Sequence, residues 1–213
     1  MGNLALLSIS SWIASGQWVG SSYEAGNRAW EPSIIHTSID AMLHHSRLQD
    51  QTPTLFFGHM IIVGLYAPLS DISEAVGAII VQRDPTTATI QSIRSWCRSF
   101  DMSIALDHAL RILDVATQRI APMERPTIGG TVSYIEAPHD ALCIFNAALV
   151  IWASKCAKFS WTVLFASSSA THLAQAITAL KRMQIAIVRT LCQVLQAVIK
   201  VEGSNPAAGV VNP

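Results

Sequence analysis

Charge is scarce in this chain. Asp, Glu, Lys and Arg make up 13% of its 213 residues, against roughly 25% in an ordinary soluble domain. The two signs balance at 14 each, for a formal net charge of zero. No global field is present to draw in nucleic acid or an anionic membrane. Hydrophobic residues reach 51%. So few charges over so apolar a chain predict one that expects a partner and self-associates when left alone.

Paired cysteines are missing as well. The four thiols stand at Cys97, Cys143, Cys156 and Cys192. None forms a Cys-x-x-Cys pair, and the spacing fits neither a zinc module nor a disulfide framework. Each lies in a helix-like apolar segment, where a free thiol packs as a small hydrophobe. That usage points to a reducing compartment. Long apolar runs are absent too: a membrane span takes about 18 or more consecutive apolar residues. The richest run, "ALCIFNAALVIWA", has 13 and contains Asn146. Residues 1–23 carry no charged side chain, so they lack the basic start of a secretory signal. Leu6 stands where myristoylation takes Ser or Thr.

The signatures of catalysis are also lacking. No H-E-x-x-H, G-x-S-x-G, G-x-x-x-x-G-K-[ST] or G-x-G-x-x-G occurs. The "IGG" at 128–130 is too short to cradle a phosphate. His36, Asp40 and His44 are spaced by four and share one helix face. Two imidazoles and a carboxylate suit a metal, but a further strong ligand has to come from elsewhere in the chain. A solvated polar face is the plainer account. His45 points about 100° away from His44 and cannot join it. His59 is embedded in "GHMII". Asp107 and His108 are helix neighbours that diverge, so they cannot form a catalytic His–Asp pair. Arg94 and Arg98 flank Trp96 one turn apart. A basic pair with an aromatic can touch nucleic acid, but no further basic cluster joins them. On these residues no catalytic, cofactor or metal site is assigned, and no enzyme activity is expected.

What is present is helical periodicity. Residues 34–49 carry Ile35, Ile39, Met42 and Leu43 as one face. Residues 54–67 are apolar on every side, as in a buried helix. Pro68 stops that helix. Ser70 or Asp71 opens the next, with Asp71 and Glu74 as an Asp-led capping box and Ile72, Ala75, Val76, Ile79 and Ile80 as its stripe. Ile90, Ile93, Cys97 and Phe100 mark a further face. Asp101 or Ser103 caps the helix after it, where Ala105, Leu106, Ala109, Leu110, Leu113 and Ala116 face inward and Asp107 pairs with Arg111 outside. Residues 121–140 carry three prolines and a Gly-Gly pair and read as a long loop with an extended piece at "TVSYI". A buried helix follows from Asp140. From Leu173 to Val201 two apolar stripes run side by side, which predicts one long helix packed on two neighbours. Its flanking charges are all basic and give no complementary zipper. The resulting expectation is an all-α, irregular bundle of about 7–8 helices over residues 34–201. A weakly assigned apolar segment precedes it at 1–33, and a turn-rich tail, read as disordered, follows at 202–213.

Three stretches occur in a familiar order: "LYAPLSDISEAVG", "IRSWCRSFDMSIALDHALRIL" and "EAPHDALCIFNAALVIWASK". They resemble the regulatory middle region of fungal zinc-finger transcription factors, the fungal-specific transcription factor domain. Leu65, Ala67, Pro68 and Leu69 match that family's Leu-His-Ala-Pro-Leu-like motif, with Tyr66 for the His. Arg94-Ser95-Trp96 is similar to its Arg-Trp segment. His108 and Ala109 match the "HA" of its next helix, with Asp107 for the Trp, and Ala147, Ala148, Leu149 and Trp152 fit its "ALYHAALVLW"-like helix. The resemblance spans roughly residues 55–155. It implies a nuclear, all-α regulatory domain that acts through contacts with other domains of its own chain or with co-regulators. Activation would then be restrained or transmitted, in response to an effector of small size. The family's zinc-coordinating DNA-binding module has no counterpart here. Zinc and DNA contact are therefore implied only for a module missing from this sequence, which looks like a fragment or a finger-less paralogue. Pairing of the last helix in a homodimer is left open. The alternatives are a membrane-associated helical protein and an enzyme with a helical active site.

Overall fold

A computed structural model describes residues 32–45, 51–120, 137–156 and 168–203. These residues form eight helices and no strand, the all-α architecture expected. The helices are α1 (Pro32–Leu43), α2 (Thr52–Tyr66), α3 (Leu69–Ile80), α4 (Thr87–Trp96), α5 (Phe100–Arg119), α6 (Pro138–Cys156), α7 (Ser168–Leu180) and α8 (Val188–Gly203). The extended piece at "TVSYI", most of the expected loop, and the tail beyond residue 203 lie outside the described residues, as does nearly all of the N-terminal segment.

The centre is built by α2, α5 and α6, which pack on one another. α2 is apolar all round because it is enclosed: Phe56, Ile62 and Val63 are fully buried. α6 is covered further by α3, α7 and α8, and Ala147, Val150 and Trp152 are buried on different sides of it. α1 lies at the periphery against α2. Its Ile35, Ile39 and Leu43 form a separate small apolar cluster with Leu55, Ile61 and Ile62.

Several local expectations are corrected. The capping box at Asp71 does not form: α3 begins at Leu69 after Pro68, with no side-chain cap. The two carboxylates reach sideways instead. Asp71 accepts from Ser92 Oγ and Glu74 from Thr89 Oγ1, tying α3 to α4. The buried residues of α4 are Thr89, Ile93 and Trp96; Cys97 packs partly buried against the core as expected, whereas Ile90 does not join it. Phe100 is 78% exposed, because α4 ends at Trp96 and the chain turns before α5. Neither Asp101 nor Ser103 caps α5: Ser99 is its N-cap residue, and Ser103 Oγ donates to the Phe100 carbonyl. α6 starts two residues earlier than the sequence suggests. Pro138 occupies its first position, and Asp140 accepts from the Ala137 N–H at 2.9 Å, half of a capping box behind an N-terminal proline.

The long last helix is two helices. α7 ends at Leu180, and residues 181–187 turn before α8. Met183 N–H donates to the Leu180 carbonyl, tightening the end of α7. Lys181 and Arg182 sit where the helix dipole favours cations. Ile185 and Ile187 are β-branched, which lowers helix propensity slightly. α7 and α8 pack on each other and both touch α6, so folding back buries Leu173, Leu180, Leu191, Leu195 and Val198 together. Most of both apolar stripes is thus buried within the chain, while Ile187 and Val201 stay 42% exposed.

Candidate functional site

A group of histidines meets where α1, α2 and α5 come together. His59 lies on α2 between apolar turns, and His108 lies on the inward face of α5 beside Ala109. Only 7% of His59 and 5% of His108 is exposed. Two polar rings buried in apolar surroundings need partners, and they find each other: their Nδ1 atoms are 2.9 Å apart. One ring must donate its N–H to the lone pair of the other, so the two neutral rings take opposite tautomers. Burial pushes both pKa values down to about 4. For His59 the next cause is the neighbouring charge of His108. For His108 it is His36, against an upward pull from Asp107 and Asp40. Both rings are therefore neutral near pH 7.

His36 on α1 extends the group. Its ring packs edge-on against His108, with centroids 5.3 Å apart, and against Tyr66 at 5.4 Å. Asp40, one turn further along α1, joins them. One nitrogen or oxygen from each of His36, Asp40 and His108 lies within 4.8 Å of the other two. These three residues line a surface pocket of about 310 Å³ together with Ser103, Ile104, Asp107 and Arg111. Arg111 Nε donates to Asp107 Oδ2 at 2.8 Å, the exposed pair expected from their spacing.

The polar face read from the sequence is thus recomposed. His44 does not enter the cluster: its Nδ1 donates to the Asp40 carbonyl at 2.7 Å on an exposed turn. His108 takes the third place, from 68 residues away along the chain. The His59–His108 bond, between residues 49 apart, was not legible from spacing. A signal for it exists: each of these residues is a lone imidazole on an otherwise apolar stripe. Asp107 and His108 diverge as expected, one exposed and the other buried. Trp96 is unavailable to nucleic acid, because it is buried and its Nε1 donates to the Tyr66 carbonyl at 2.7 Å. Arg94 and Arg98 stay exposed beside it. The "IGG" segment lies outside the described residues.

No protein-family model, no curated protein and no solved structure matches this chain. Among the described residues no single helix is long and apolar enough to cross a membrane; α2 and α3 together have the composition of a span but meet at a 90° bend.

Proposed function

We propose that this chain is a regulatory domain of a fungal-type transcription regulator, not itself an enzyme, that works in the nucleus through contacts with other domains or co-regulator proteins. The observation that carries this reading is the use made of the motif residues. Trp96 ties the end of α4 to the α2–α3 corner through the Tyr66 carbonyl, and Cys97 Sγ reaches the Ala153 carbonyl of α6 at 3.7 Å. Trp152 and Ala147 to Leu149 are core. The three stretches that carry the resemblance are thus joints of one helical body, as markers of a fold rather than of a reaction would be. Phe100, Val81 and Ile34 are also more than half exposed, so each is open to contact. DNA contact and zinc-finger chemistry belong, on this reading, to a module outside the chain. A fusion of the full chain to an unrelated DNA-binding domain tests it. Reporter transcription should change by several-fold relative to the DNA-binding domain alone, and a tagged chain should concentrate in nuclei. An unchanged reporter with a stably expressed fusion would sink the proposal.

A second reading, an enzyme with a helical active site, is favoured by one observation. His36, His59 and His108 converge with Asp40 beside a pocket, the kind of titratable grouping from which active sites are built.

A further inference from the structure

Three chemically competent side chains from two helices meet at the pocket. His36 and Asp40 come from successive turns of α1, and His108 comes from α5. Their candidate ligand atoms lie within 4.8 Å of one another. Ligands of a four-coordinate zinc ion lie about 2.0–2.2 Å from the metal, hence roughly 3.3 Å from each other. Closing the set takes movements on the order of 1 Å, within the reach of small side-chain rotations.

We propose that His36, Asp40 and His108 bind a divalent first-row transition ion, zinc being the best match, with a fourth position open to the pocket. Two imidazoles and one carboxylate select such an ion over calcium or magnesium, which take oxygen ligands. Three protein ligands with a free position is the arrangement of a reactive or ligand-receiving centre rather than a closed structural one. The second independent observation is His59. A coordinating imidazole nearly always gives its other N–H to a fixed acceptor, which sets tautomer and orientation. In the tautomer where His108 donates, His59 Nδ1, at 2.9 Å from His108 Nδ1, is that acceptor. The bond occupies Nδ1 of His108 and leaves Nε2 as its coordinating atom. The Arg111 guanidinium at the same pocket is paired with Asp107, so an incoming cation does not face an uncompensated positive charge. His44 donates from Nδ1 to the Asp40 carbonyl and is not among the side chains whose ligand atoms converge. This inference goes beyond the regulatory reading and does not depend on it.

The test is titration of the full, chelator-stripped chain with zinc alone by calorimetry and with cobalt(II) by visible spectroscopy. The expected result is one ion per chain, with the visible bands of low-coordinate cobalt. His36→Gln and Asp40→Asn, at half-exposed positions that leave the core intact, should abolish those bands and weaken zinc binding at least about tenfold. His59→Gln should weaken it by about 10–100-fold while keeping the bands, as loss of a partner behind a ligand does. His44→Ala should bind as the parent does. Circular dichroism of each variant separates loss of the ion from loss of the fold. Absence of binding in a folded parent chain overturns the proposal. So does binding that survives both His36→Gln and Asp40→Asn, since the ion would then sit on other donors.

Discussion

At the scale of single residues, His59 and His108 are buried rings that share one hydrogen bond. Their pKa values, lowered to about 4 from 6.5, make folding depend on pH with a definite sign. The unfolded chain takes up protons near pH 6.5, whereas the folded chain resists them until about 4. Stability contributed by the pair is therefore fully present above pH 6.5 and is lost as the pH falls from there toward 4. The loss is on the order of a few kcal/mol, since one pKa unit corresponds to about 1.4 kcal/mol and the two rings share one site. Urea denaturation in chelator at pH 7 and pH 5 measures it. His59→Gln should show a shallower pH dependence than the parent, and equal slopes in the two proteins would contradict the assignment.

At the scale of elements, the pattern of apolar positions carried most of the fold. Six of the helices lie where periodicity placed them, because each buries one face against a neighbour and the face is written in the spacing. Where elements end was less visible. The split between α7 and α8 follows from packing of both halves on α6, a tertiary gain that leaves no Pro or Gly in residues 181–187. The candidate site was half legible: His36 and Asp40 share a helix face by spacing, but His108 joins them only once α1 and α5 are brought together. The end of α3 shows how local rules can be broken for a turn. Gln82 adopts φ 54°, with its N–H donating to the Ile79 carbonyl and the Arg83 N–H to the Ala78 carbonyl, the Schellman pattern that glycine usually completes. A side chain in that region costs about 1–2 kcal/mol. Gln82→Gly should therefore raise stability by about 1 kcal/mol, read as a higher urea midpoint at unchanged slope. Gly77→Ala within the same helix should add a further ~0.5–1 kcal/mol, since a Cβ there meets nothing within 4 Å. If neither substitution raises the midpoint, the description of this helix end is wrong.

At the scale of the whole molecule, the two apolar clusters differ greatly in size. One joins α2 to α8 through a continuous core. The other consists of Ile35, Ile39 and Leu43 of α1 against Leu55, Ile61 and Ile62. Leu43 settles over Gly58 so closely that a Cβ there would lie 2.6 Å from Leu43 Cδ2. α1 is thus held by a small patch, the bare backbone at Gly58 and the contact of His36 with His108. Local opening should begin where the fewest apolar contacts must be broken, so amides of α1 should exchange with solvent faster than those of α6. The same helix carries His36 and Asp40, while His108 belongs to α5 in the large core. An ion on these three residues bridges the weakly held helix to the strongly held one. It binds only while α1 is docked, and saturation at 100 times its dissociation constant stabilises the docked state by about 2.7 kcal/mol. Exchange of α1 amides should then slow about 100-fold in zinc, with α6 amides nearly unchanged. Hydrogen-exchange mass spectrometry of the parent and of Asp40→Asn, each with zinc and with chelator, distinguishes the cases. A zinc effect that is uniform across all helices, or that persists in Asp40→Asn, would show that the ion does not fasten α1 to α5.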